Sequence, residues 1–287
     1  MDIYDKSLND LCTNLQITKS DKEYYKFEKL VTVVNQAYLK IALKEFNYIK
    51  TRNQEKEIES NFNFLMSLYN KHLREHQVMF LLFNIFETAI RSKAVTELSL
   101  KYSSNGNDDW LHDSSLTPNK IIRPLQEAKN KIIQDGEDIN NLDSFEIFDY
   151  IMLGQLQSIY KDFWNDLSHL FVAKTINGIN FPQIGKRAFE KTFEEIRKAR
   201  NDNAHHKPFH KTRKRRHQII EDMKLILIHK SFNMNDAINN AITDFVHTSK
   251  WSKKDSIFTV TITDINEENI NITIAVADDD VYPNSKN

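Results

Sequence analysis

The chain has 287 residues, with five glycines, five prolines, a single cysteine, and 39 basic against 40 acidic residues for a formal net charge of -1. That length can bury a sizeable core, and the composition fits an ordered, mainly helical protein better than a β-sandwich or a disordered chain. Near-neutral charge means that affinity for a polyanion has to come from local clustering. The lone Cys12 excludes an intramolecular disulfide framework and a cysteine-based zinc cluster. The first residues lack the pattern of a signal peptide, and the longest apolar run, around Val78 to Phe86, is too short to span a bilayer; the expectation is a cytoplasmic protein without membrane association.

Residues 2–16 fit a short amphipathic helix. From Asp21, placed as an N-cap after Lys19-Ser20, a long helical pattern sets Leu30, Val33, Val34, Ala37, Tyr38 and Ile41 on one buried stripe. Glu55 to Tyr69 reads as the next helix, with Ile58, Phe62, Leu65, Met66 and Tyr69 on one face. Gln77 to Leu100 is the most apolar segment, and apolar side chains around nearly its whole circumference predict a helix at the centre of a bundle. Its polar exceptions, Asn84, Glu87, Thr88 and Arg91, recur at helical spacing as a single stripe. That stripe is either a solvent-facing edge or the lining of a polar groove, and Glu87 and Arg91 are spaced for an ion pair.

Lys101 to Thr117 has loop composition, and Thr117-Pro118 then starts a helix that runs to about Gln134, before Gly136. Ser144 to Tyr160 reads as a helix over buried Phe145, Phe148, Ile151, Met152 and Ile159. Asp162 to Phe171 adds a short helical segment, and Asn177-Gly178 to Pro182 is a turn. A helix from about Lys186 buries Phe189, Phe193, Ile196 and Ala199 and ends before Pro208. Beyond it, Lys207, Lys211, Arg213, Lys214, Arg215 and Arg216 form the one strong basic cluster, leading into an apolar helix, Ile219 to Ile228. An amphipathic segment covers Asn233 to Val246. The tail then changes period: Ile257 to Ile262 and Ile270 to Val276 alternate every second residue, a β-hairpin around Asn266 to Asn269. Two strands alone are marginally stable, so such a hairpin must pack on the helices or pair with another edge. The final residues, including Asp278 to Asp280, read as disordered.

Chemistry concentrates where the stripe of the Lys186 helix fails. The next positions on that face are Arg200 and Asn203, which cannot be buried unpaired. His205 and His206 follow. On an ideal helix Arg200 and His205 stand about 140° apart and roughly 7.5 Å along the axis, so they share a face only if the last turn before Pro208 unwinds. Together they suit phosphodiester chemistry: arginine forks onto phosphate oxygens, and histidine exchanges protons near neutral pH. RNA carries its own nucleophile, the 2′-hydroxyl, so such a site needs no metal. The plain alternative is a helix C-terminus with its favourable cations.

These residues also carry a resemblance. Arg200-Asn201-Asp202-Asn203-Ala204-His205 resembles the R-N-x-x-A-H form of the R-x4-6-H motif of HEPN domains, and more narrowly their abortive-infection (Abi-like, AbiD/AbiF type) branch. Phe86-Glu-Thr-Ala-Ile-Arg91 and Gly154-Gln-Leu-Gln-Ser-Ile-Tyr160 agree with it in order and spacing, and the similarity covers about Glu75 to Ile228. It implies a helical bundle that dimerises to bring two arginine–histidine pairs into one cleft, and metal-independent endoribonuclease activity in a toxin or phage-defence role, without cofactor. By the same resemblance Arg200 holds the scissile phosphate, His205 is the acid/base and Asn201 orients the pair; Glu87 and Arg91 match the family's early-helix acidic and basic positions. An antitoxin or other regulatory partner is a further expectation. One HEPN toxin subgroup has a tyrosine two positions after the histidine; here that position is Lys207.

Two other constellations bear on function. His72-Leu-Arg-Glu75-His76 matches the H-x-x-E-H pattern of inverted zinc peptidases, with two histidines on one helical face, although no distal glutamate ligand can be picked out; a charged first turn leading into the apolar helix is the plainer reading. His205, His206, His210 and His217 lack a clear fourth-ligand geometry, so no metal site is assigned; His206, His210 and His217 read instead as part of the basic surface with Lys211 to Arg216, which would bind an RNA backbone. The expected architecture is mainly α: an N-terminal helical extension (1–74), a HEPN-type bundle (75–230), and a C-terminal helix, hairpin and tail (231–287). The expected function is RNA cleavage by a homodimer; the rival is a non-catalytic HEPN-like module that binds RNA, nucleotide or a partner protein.

Overall fold

A computed structural model describes residues 3–52, 60–104, 107–176, 178–208, 213–229, 256–263 and 269–276. They fall into two compact units, Met1–Ile238 and Asn239–Asn287, so the segments 1–74 and 75–230 share one unit. The protein is mainly helical, and among the described residues no helix is long and apolar enough to cross a membrane.

The first unit opens with α1 (Ile3–Leu15), α2 (Tyr24–Val33) and α3 (Gln36–Arg52). The single helix expected from Asp21 is therefore two, and Asn35 divides them. Its Oδ1 accepts the backbone N–H groups of Ala37 and Tyr38 at 2.9 and 3.3 Å, capping α3, while Val34 is extended. Asp21 caps nothing; it closes the turn back to Thr18. The break also moves the buried stripe, to Leu30 and Val31 before it and to Tyr38, Leu39, Ala42 and Phe46 after it, and leaves Val33 81% exposed.

Helix α4 (Asn61–Tyr102) joins the two central helices expected from the sequence into one of 42 residues, about 63 Å long at the α-helical rise. The expected start at Glu55 lies outside the described residues. Ser60 caps α4 through Asn63 N, and the Glu23 carboxylate accepts from the Ser60 hydroxyl and from Phe62 N, tying α2 to this end. The first turns of α4 close a smaller core with α1 to α3, built on Phe27, Phe46, Leu65 and Tyr69. From Met79 onward α4 is the spine of a larger one. The two cores part between Leu73 and Met79, the turns that hold His76. Nor is α4 buried all round: Val78, Phe80 and Leu100 face outward.

Around the larger core lie α5 (Ile122–Gln134), α6 (Ser144–Asp149), α7 (Leu153–Asp162), α8 (Trp164–Leu167), a hairpin of β1 (Lys174–Ile176) and β2 (Ile179–Phe181), α9 (Lys186–Ala204) and α10 (Arg213–Ile228). Pro118 precedes a 3-10 turn rather than opening α5 itself, and the helix ends at Gln134 before Gly136, which takes φ 81°. The expected Ser144–Tyr160 helix breaks at Tyr150–Met152, so Phe148, Ile151 and Ile159 are buried but Phe145 and Met152 are exposed. Tyr160, Trp164, Phe171, Phe189 and Phe193 interlock in the core, and the Tyr160 hydroxyl donates to Ile90 O at 2.8 Å, fixing α7 against α4. In the second unit β3 (Ser256–Thr263) and β4 (Asn269–Val276) pair antiparallel from Ser256 opposite Val276 to Thr263 opposite Asn269. The expected amphipathic segment at 233–246 and the tail at 278–280 lie outside the described residues.

Candidate functional site

Helix α9 forms as its spacing requires: Phe189, Phe193, Ile196 and Ala199 are all buried, and Phe193 meets Phe86 of α4 edge to face at 5.9 Å. The stripe then turns polar against the same helix. Arg200 places Nε and Nη2 at 3.1 and 3.0 Å from Glu87 Oε2. The other oxygen, Oε1, accepts from Arg91 Nη2 at 2.9 Å. One buried carboxylate thus holds two guanidinium groups, and the polar stripe of α4 divides: Asn84 and Thr88 face solvent, while Glu87 and Arg91 turn inward. Arg91 Nη2 also donates to Ile151 O at 3.2 Å, a carbonyl in the break between α6 and α7. The Arg200 side chain remains 36% exposed against 11% for Glu87, so one flank of a fixed cation faces outward.

The end of α9 is a closed cap. His206 N donates to Asn203 O and Lys207 N to Asp202 O, both at 2.9 Å, the paired bonds of a Schellman motif. His206 occupies the left-handed position at φ 51°, where glycine is usual. The turn before Pro208 does not unwind: α9 stays regular through Ala204, His205 is its exposed C-cap, and among the described residues no hydrogen bond or ion pair joins His205 to Arg200. Asn201 contributes its carbonyl, which accepts from His205 N at 3.0 Å; its side chain bonds to neither Arg200 nor His205.

What holds this cap is a buried polar network that sequence spacing did not reveal. Asn203, 1% exposed, donates through Nδ2 to His76 Nδ1 at 3.0 Å and to His76 O at 3.1 Å. The carbonyl contact fixes which end of the amide faces His76 and makes Nδ1 an acceptor. The Tyr38 hydroxyl lies 2.7 Å from the same nitrogen and 3.4 Å from Lys207 O. Asn35 Nδ2 reaches His206 O at 3.5 Å, and the His206 ring lies on His76 with centroids 5.3 Å apart. Burial, and secondarily the charge of His206, lower the His76 pKa, while burial and then Tyr69 push Tyr38 up to about 12, so both are neutral at pH 7. Asn35 and Tyr38 belong to the N-terminal segment, for which the sequence assigned no role. The one available signal was Asn203 itself, a polar residue on an apolar stripe that had to find a buried partner.

Much of the basic run is paired within the chain. Lys207 lies 3.8 Å from Asp202, Arg215 pairs with Glu195, and Arg216 Nη2 is 3.2 Å from Glu75 Oε1. Lys214 is exposed; Lys211 and His210, like the Arg213 side chain, lie outside the described residues. The H-x-x-E-H residues part company. His72 sits between Glu45 Oε2 at 2.8 Å and Glu75 Oε2 at 3.5 Å, whereas His76 turns into the network above. The hydrogen bond from His72, with Arg216, holds the Glu75 carboxyl below its ordinary range; burial raises that of Glu45, but Lys71 and His72 outweigh it and lower the pKa. Among the described residues no group of three or more His, Cys, Asp or Glu side chains is placed to hold a metal ion.

The class these features define is a mainly helical protein with an arginine–carboxylate–arginine cluster between two packed helices. No protein-family model, no curated protein and no solved structure matches the chain.

Proposed function

We propose that this chain is a metal-independent endoribonuclease of the HEPN type, working as a homodimer in a phage-defence or toxin role. The observation that carries the reading is the grip of Glu87 on Arg200. A guanidinium anchored through Nε and Nη2 keeps its Nη1 edge for a phosphate oxygen and cannot swing away from the helix end. The exposed His205 stands at that same helix end. In cleavage the 2′-hydroxyl proton passes to a base, a 2′-O–P bond forms, and the P–O5′ bond breaks as the 5′-oxygen is protonated. Histidine serves both proton transfers near neutral pH, and arginine offsets the charge that builds on the phosphate. Because His205 is not turned onto Arg200 within one chain, the reading takes a second copy, which sets the histidine of each chain beside the arginine of the other.

A non-catalytic module that binds RNA, nucleotide or a partner protein is the alternative, and the regular end of α9 favours it, since among the described residues no hydrogen bond or ion pair joins His205 to Arg200. Cleavage separates the two. RNA cut in EDTA by the wild type, and left intact by folded Arg200→Ala and His205→Ala, supports the nuclease; retention of RNA with no cutting by an established dimer supports the module.

A further inference from the structure

Between α4 and α10, away from the Arg200–Glu87 cluster, lies a cleft of about 440 Å³, a size typical of small-molecule sites. On α4 it is lined by Lys71, Arg74, Glu75 and Val78, at the i, i+3, i+4, i+7 spacing of one face. From α10 come Arg216, His217 and Ile220, and Met79 closes the apolar floor. Three cations thus stand around one carboxylate and an apolar strip, and Val78, in the middle of it, is 52% exposed.

The charges are not equally available. Lys71 is tied to Glu45 at 2.7 Å and Arg216 to Glu75 at 3.2 Å. Among the described residues Arg74 makes no ion pair; its Nε donates only to Asn70 O, at 3.4 Å. Glu75 is ionised, with Oε1 on Arg216 at 3.2 Å and Oε2 near His72 at 3.5 Å; each oxygen keeps a second lone pair with which to accept. A cleft with one unspent guanidinium, an apolar wall and a fixed carboxylate suits a ligand with one phosphate, an apolar planar body and an amine donor.

We propose that this cleft binds a nucleoside monophosphate with an exocyclic amine on its base, either free or as the 5′-phosphorylated end of an RNA strand. The phosphate takes Arg74 with help from His217, the base covers Val78 and Ile220, and Glu75 accepts from the amine, as carboxylates do from cytosine. The site is independent of any cleavage at Arg200. Titration of AMP into the full-length chain by calorimetry tests it. Wild type binds AMP; Arg74→Gln, an exposed position whose loss leaves no buried partner, weakens binding at least about tenfold; and Arg200→Ala leaves it unchanged. UMP, with a carbonyl in place of the amine, binds more weakly than CMP. Displacement of AMP by a 5′-phosphorylated oligoribonucleotide, but not by its 5′-hydroxyl form, assigns the site to strand ends; no displacement by either assigns it to the free nucleotide. The proposal is overturned if wild type does not bind AMP, if Arg74→Gln binds it equally well, or if inorganic phosphate alone binds as tightly as AMP.

Discussion

Glu87 and His76 each hold two partners, and each makes a measurable prediction. Replacing Glu87 with Gln removes the charge that Arg91 and Arg200 share while leaving the shape intact. Breaking a buried pair from one side costs about 3–5 kcal/mol, and the partial exposure of Arg200 places Glu87→Gln near the lower end, about 3 kcal/mol in urea unfolding. For His76 the folded pKa lies below the ordinary value of about 6.5, because burial disfavours the charged ring. The unfolded chain therefore binds the proton first; stability is fully present above about pH 6.5 and is lost as pH falls through the folded pKa. Thermal melts between pH 7.5 and 5 should show a falling midpoint in wild type and a flatter one in His76→Gln. A wild-type midpoint flat across that range would contradict the burial of a neutral His76. Arg200 was legible in the sequence, because a charged group on an apolar stripe demands a partner; Glu87 was legible as part of a polar stripe spaced for Arg91, but its second partner was not. Tyr38 and His76 were not: a tyrosine on a stripe and a histidine in a charged turn look ordinary until a third element brings them together.

At the scale of elements, the decisive piece is the cap of α9. A non-glycine residue in the left-handed region costs about 1–2 kcal/mol, and here the ring contact with His76 and the bonds from Asn35 and Tyr38 offset it. His206→Ala keeps the strain and loses the ring, whereas His206→Gly loses both. The glycine variant should therefore be the more stable of the two by about 1 kcal/mol in equilibrium unfolding. Equal stabilities would mean that the backbone at 206 is not strained. Some helix boundaries could be read from composition and others could not. Gln134, followed by Gly136, and Lys186 stand where composition put them. The breaks at Val34–Asn35 and at Tyr150–Met152 do not, since both lie inside continuous apolar patterns and are set by local caps, Asn35 onto Ala37 and Tyr38, and Gln155 onto Met152 N at 2.7 Å. The second break bears on the site, because it leaves Ile151 O free to accept from Arg91.

At the scale of the first unit, one helix threads two cores. Phe46 is fully buried in the smaller core, whereas Trp110 and Trp164 belong to the larger one. Since α4 is continuous, Phe46→Ala, a loss of about 3–5 kcal/mol, should move the unfolding transition reported by tryptophan fluorescence; an unmoved transition would show that the cores unfold separately. The continuity of α4 also accounts for what the sequence hid: its pattern reads as two helices because the buried face changes partners near His76, not because the backbone stops. The N-terminal segment accordingly acts as a brace for the end of α9 that carries His205. The proposed activity rests on that end, and on Arg200 beside it. The most direct measurement is cleavage of a structured RNA by the full-length chain in excess EDTA, followed by gel for wild type, Arg200→Ala and His205→Ala, each checked for fold by circular dichroism. The expected result is cutting by wild type that persists in EDTA and falls by about 10² or more in either variant, the range for removal of an acid/base group at His205 and of a charge-stabilising group at Arg200. Cutting that EDTA abolishes, or that both variants retain at the wild-type rate, would contradict it.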